Sequence, residues 1–108
     1  METISREKAR ELMDEGKGTA VIEVLSPEKF EQFHLPGAKN VPLDDQFEAH
    51  IQEEVPDKSQ QVVVYCQSAE CDASPKAAQK MGELGYTHVY DYEAGKTDWK
   101  DAGYPVES

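Results

Sequence analysis

The chain has 108 residues, enough for one domain and too few for a second independently folding core. Its 11 Lys and Arg against 22 Asp and Glu leave a formal net charge of −11. This excludes nucleic acid as a main partner, because phosphate backbones call for clustered bases, and it argues against docking on an anionic membrane face.

The acids are spread along the chain with no acidic tail, so the charge reads as a solvated surface. The N-terminus Met1-Glu2-Thr3-Ile4-Ser5 has no positive region followed by an apolar run, which predicts no secretory signal. Val62 to Cys66, the longest strongly apolar stretch, is far too short to cross a bilayer. Two cysteines, Cys66 and Cys71, do not make a disulfide scaffold. A cytoplasmic location follows as the expectation, with both thiols reduced and open to chemistry.

In chain order, Ser5 to Glu15 places Ala9, Leu12 and Met13 on one helical face, closed by Gly16 and Gly18. Thr19 to Leu25 is an apolar, β-branched run that reads as a buried strand. Ser26-Pro27-Glu28 has the order of an N-cap and a first-turn proline, opening a short helix that turns Phe30 and Phe33 to the core. His34 to Ala38 is turn chemistry, Asn40 to Leu43 a short extended piece, and Asp44 to Glu54 a polar helix.

Gln61 to Tyr65 is the clearest strand and ends on Cys66. Ser74-Pro75 repeats the cap-and-proline start of a helix that runs to about Leu84 and closes at Gly85. Thr87 to Tyr92 reads as a strand, and Gly95 to Ala102 as a short helix holding Trp99. Strands alternating with helices predict one α/β domain over residues 1–108, with a mostly parallel central sheet and helices on both faces.

In such sheets the functional crevice lies at the carboxyl ends of the strands, and Cys66 stands there. A helix N-terminus and a curled loop of amides suit a thiolate or a persulfide. A small buried hydrophobe continuing the strand is the other reading of the same position. Position alone leaves both open.

Five segments in order resemble the rhodanese-like sulfurtransferase family. Val21-Ile22-Glu23-Val24 with Glu28-Lys29-Phe30 is similar to its stretch of two hydrophobic residues, Asp and Val followed by Glu and Phe. His34-Leu35-Pro36-Gly37-Ala38-Lys39-Asn40-Val41-Pro42 is similar to its His-Ile-Pro-Gly-Ala-x-Asn-Ile-Pro segment, and Val62 to Cys66 to the strand that delivers its catalytic cysteine. Ala77-Ala78 with Leu84-Gly85-Tyr86 resembles its next helix. Gly95, Trp99 and Ala102 to Glu107 resemble its C-terminal ending.

The resemblance implies a three-layer α/β sandwich with Cys66 as nucleophile and no metal or organic cofactor. Cys66 would take the outer sulfur of a small donor such as thiosulfate, hold it as a persulfide, and release it to a thiol or cyanide acceptor, a protein acceptor among them. The active-site loop would be Gln67, Ser68, Ala69, Glu70, Cys71, Asp72, Ala73 and Ser74, its amides holding the persulfide charge.

The family's loop reads Cys-x-x-Gly-x-Arg-Ser, and here Ala69 takes the glycine place, Cys71 the arginine place, and Ser74 comes two residues late. No Arg or Lys lies in this loop, and Glu70 and Asp72 disfavour a dianionic donor. The related phosphatases have Cys-x5-Arg, and Asp72 at that sixth position would repel a phosphate. Cys71 is either a resolving thiol or, by preference, a bystander filling the arginine's space. The alternative function is a non-catalytic binding or redox-sensing module using Cys66 and Cys71. Cys-x4-Cys is not a common zinc spacing, and His34, His50 and His88 are scattered. His34 reads as a hydrogen-bonded turn residue, Glu23 as a hydrogen-bonding structural acid, and Trp99, Tyr90 and Tyr92 as packing.

Overall fold

A computed structural model describes residues 2–15 and 18–108. The elements in order are β1 (Glu2–Thr3), α1 (Arg6–Asp14), β2 (Ala20–Glu23), α2 (Pro27–Gln32), β3 (Lys39–Asn40), α3 (Phe47–Glu54), β4 (Val62–Tyr65), α4 (Ala73–Glu83), β5 (Val89–Tyr92) and α5 (Gly95–Asp101). The sheet is parallel throughout with order β1-β5-β4-β2-β3, so the apolar β4 is central. Buried on both faces, β4 has no polar side to alternate, which explains its unbroken Val-Val-Val-Tyr run.

The period of two along the strands sorts side chains between two cores. Val62, Val64 and Cys66 pack with Ile22, Val89, Phe47 and Ile51 of α3, and Ala77, Ala78 and Met81 of α4. Val63 and Tyr65 face the other way, against Ala9 and Leu12 of α1 and Trp99 of α5. Helices therefore cover both faces, as the three-layer reading requires.

The differences lie mostly at element ends. The two-residue β1 is too short for any sequence pattern to announce. Helix α1 starts after Ser5, whose Oγ accepts from the Lys8 amide, and ends when the Glu15 amide donates to the Glu11 carbonyl. The expected stop at Gly16 lies outside the described residues. Helix α3 begins at Phe47 rather than Asp44, because the Asp44 carboxylate accepts from the Gln46 amide at 2.9 Å and holds a turn there.

Ser26 and Pro27 occupy the expected positions, but the Ser26 side chain makes no capping bond. Phe33 is not a core residue; it lies half-buried beneath the Lys96 and Lys100 ammonium groups. Phe30 packs at the core's edge and stacks on His34, whose Nδ1 lies 2.8 Å from the Phe30 carbonyl oxygen.

Candidate active site

Strand β4 delivers Cys66 to the carboxyl edge of the sheet with no exposed surface. The next stretch must turn at once, and α5 sets where it goes. The Lys96 amide donates to the Cys66 carbonyl and the Thr97 amide to the Gln67 carbonyl, both at 3.0 Å, and Gln67 Nε2 donates to Thr97 Oγ1. Gly95 makes this approach possible. Its φ is +78°, and a Cβ there would lie 2.6 Å from the Gln67 carbonyl carbon and the Ser68 nitrogen.

Beneath this contact lies a group that sequence reasoning missed. Lys96 is fully buried: its Nζ pairs with Glu23 Oε2 at 3.0 Å and donates to the Lys29 and Phe33 carbonyls at 2.7 Å. Glu23 Oε1 accepts from the Tyr65 hydroxyl at 2.9 Å, and Tyr65 accepts in turn from the Leu35 amide. Burial, followed by the Glu23 charge, raises the Tyr65 hydroxyl well above its ordinary range, so it stays a donor. Glu23 is structural as expected, with Lys96 and Tyr65 rather than turn amides as partners. An acid inside an apolar strand demands a cation, and that was the available signal.

The loop from Gln67 to Ser74 curls around two sulfurs. Ala69 and Glu70 are exposed at its tip, and the Cys71 amide donates to the Ser68 carbonyl at 3.0 Å. Asp72 is exposed and pairs with Lys76 at 3.0 Å, so the base nearest in sequence is already engaged. Helix α4 starts at Ala73, one residue before the expected cap. Ser74 is thus no cap but a buried residue of the first turn, with its Oγ 3.6 Å from Cys66 Sγ.

Cys66 Sγ also lies 3.4 Å from the Cys71 carbonyl oxygen and 3.9 Å from that of Ser68. Burial first, then the neighbouring Cys71 side chain, pushes the Cys66 thiol up to about 11, against the Ser74 amide and hydroxyl. Burial also opposes ionisation of Cys71, but the Cys66 thiol and the amides of Ala73 and Gln67 outweigh it and hold Cys71 below the usual thiol range. The Ser74 amide thus favours the Cys66 thiolate, and the Gln67 and Ala73 amides favour the Cys71 thiolate.

Asp91 of β5 completes the site. It shares its strand face with Val89, the Ser74 side chain favours its charged form, and its Oδ1 has no hydrogen-bond partner. No cluster of three or more His, Cys, Asp or Glu among the described residues could hold a metal ion.

The sequence matches the rhodanese-like domain family over residues 5–102. The chain belongs to that family. It is 43% identical over 68 residues to the thiosulfate sulfurtransferase PspE of Escherichia coli (strain K12), a match covering 63% of this chain and 62% of that protein. The chain thus spans less than two thirds of that curated relative. Among solved structures, it is similar to a thiosulfate sulfurtransferase from Pseudomonas aeruginosa, with a TM-score of 0.85 and 26% identity over 98% of this chain and 20% of that one. A rhodanese with anions from E. coli gives a TM-score of 0.68 and 35% identity over 84% and 99% of the two chains. The rhodanese-like fold is shared, and no described helix is long and apolar enough to cross a membrane.

Proposed function

We propose that this chain is a single-domain sulfurtransferase that carries sulfane sulfur as a persulfide on Cys66. A thiosulfate- or persulfide-type donor supplies the sulfur, and a small thiol, a protein thiol or cyanide accepts it. The observation that carries this reading is the placement of Cys66, at the end of the central strand and against the first turn of α4, whose Ser74 Oγ lies 3.6 Å from its sulfur. Cys66 thiolate attacks the outer sulfur of the donor; an S–S bond forms as the donor's own bond to that sulfur breaks, releasing sulfite or a thiolate. Attack by the acceptor on the outer sulfur then returns Cys66 as thiolate. The acidic, arginine-free loop and the Asp72–Lys76 pair favour a persulfide donor over dianionic thiosulfate. A reducing cytosol suits two free thiols.

The test is turnover with an organic persulfide and cyanide, read as thiocyanate. The wild-type chain turns over, and Cys66→Ser does not. The approach of Cys66 Sγ to within 3.4 Å of the Cys71 carbonyl oxygen, with both thiols free, favours one second reading, a binding or redox-sensing module in which the two toggle between dithiol and disulfide.

A further inference from the structure

The site contains a buried acid that the persulfide reading does not use. Asp91 lies one strand away from Cys66, on β5, and its register partner on β4 is Val64. Cys66 follows Val64 by two residues, so the two side chains share the sheet face that α4 covers. Ser74 in the first turn of α4 lies between them: Cys66 Sγ is 3.6 Å from Ser74 Oγ, and the Ser74 side chain favours the charged form of the Asp91 carboxyl. Asp91 has 1% exposure, and no partner for Oδ1. A carboxylate so placed is costly unless it can take up a proton.

We propose that Asp91, acting through the Ser74 hydroxyl, is the proton acceptor that activates Cys66. This rests on the reading of Cys66 as the sulfur carrier.

A serine hydroxyl that donates to Asp91 presents a lone pair to the Cys66 thiol. The thiol proton passes to Ser74 Oγ as the Ser74 proton passes to the Asp91 carboxylate. The products are a Cys66 thiolate, a Ser74 hydroxyl turned towards the sulfur, and a neutral Asp91. The cluster keeps one negative charge throughout. Ionising Cys66 to solvent would instead place two anions in one dry site, which like-charge repulsion opposes.

Burial holds the Asp91 carboxyl above its usual range, against the Ser74 hydrogen bond and with help from Glu93. That shift brings acid and thiol closer in proton affinity. The other titratable groups acting on the pair are Cys71, on the loop beside Cys66, and Glu93, beyond β5. Cys71 is a rival exit for the proton, so the test removes it.

The experiment measures the alkylation rate of Cys66 by iodoacetamide from pH 5 to pH 10 in the Cys71→Ser protein. Asp91→Asn and Ser74→Ala are compared in that background, each checked for folding by its urea midpoint. Without internal transfer the rate falls about tenfold per pH unit below the thiol titration. With it, the rate levels to a pH-independent floor on the acid side. The expected result is a floor in the parent that both variants lose, a drop of about tenfold or more at pH 6. Either variant, folded, is sufficient for the comparison. A floor that survives in a folded variant, no floor in the parent, or an Asp91→Asn protein faster at every pH would overturn the proposal. Sulfur loading of the parent, read separately by mass, keeps failure of the relay distinct from failure of the carrier.

Discussion

Lys96 and Glu23 are 73 positions apart, yet their ammonium and carboxylate meet at 3.0 Å with neither side chain exposed. Lys96 is the second residue of α5, and its own amide holds the Cys66 carbonyl. One residue thus ties the loop that follows the candidate nucleophile to the interior of the opposite core. Replacing it by Met should strand the Glu23 carboxylate and two carbonyls without their cation, costing about 3–5 kcal/mol. Urea denaturation reads this directly. Glu23→Gln added to Lys96→Met should recover part of the loss, since the unpaired charge is then gone.

Gly95 gives a sharper, more local prediction. Gly95→Ala forces a side chain into left-handed backbone, costing about 1–3 kcal/mol, and drives its Cβ against the Gln67 and Ser68 backbone. Stability should fall and sulfur transfer should fall with it, because the displaced atoms begin the loop. Gly37→Ala is the comparison: φ is also positive there, but nothing lies within 4 Å of the added Cβ. Its stability should fall less, with sulfur transfer retained.

Much of this was legible in the amino-acid order. An unbroken apolar run marked β4 as the most buried strand, and the cysteine at its end, with the family resemblance, marked the candidate site. The ends of α4 were legible to within about two residues, since Gly85, with φ +99°, closes it as expected. Lys96 was not legible, because a lysine is exposed by default and only the buried acid 73 residues away says otherwise. Asp91 carried a usable signal: it has the same strand parity as Val89, a core position. The direction of the loop amides carried none. It depends on how the two extra residues before Ser74 fold, which composition does not encode.

Stability against pH should show the buried thiol. The Cys66 pKa is raised by burial from 9.0 to about 11, so the folded state holds its proton where the unfolded chain has lost it. The stability this contributes is present below pH 9 and is lost as pH rises towards 11. Cys66→Ser does not titrate there, so the difference between wild type and variant should shrink across that window by about 1–2 kcal/mol, after discounting for solvent screening. Urea unfolding at pH 8 and pH 10.5 measures it. A constant difference would mean that Cys66 titrates as it does in the unfolded chain.

Asp72 should act on Cys71 rather than on Cys66. Its charge raises the Cys71 thiol, and its carboxylate pairs with Lys76 on the exposed side of α4. Asp72→Asn should therefore speed alkylation of Cys71, more at low ionic strength than at high, and leave the rate at Cys66 unchanged. Fragment-resolved mass spectrometry separates the two thiols. A faster Cys66 would mean that the acidic loop bears on the candidate nucleophile itself.

The most direct test of the central claim is the intact mass of the protein after incubation with an organic persulfide or thiosulfate, followed by dithiothreitol. Wild type and Cys71→Ser should each gain one sulfur atom, located on Cys66 by fragmentation and removed by the reductant, while Cys66→Ser gains none. Loss of two hydrogens with no sulfur retained, or a sulfur that loads on Cys71 and persists in Cys66→Ser, would contradict the account.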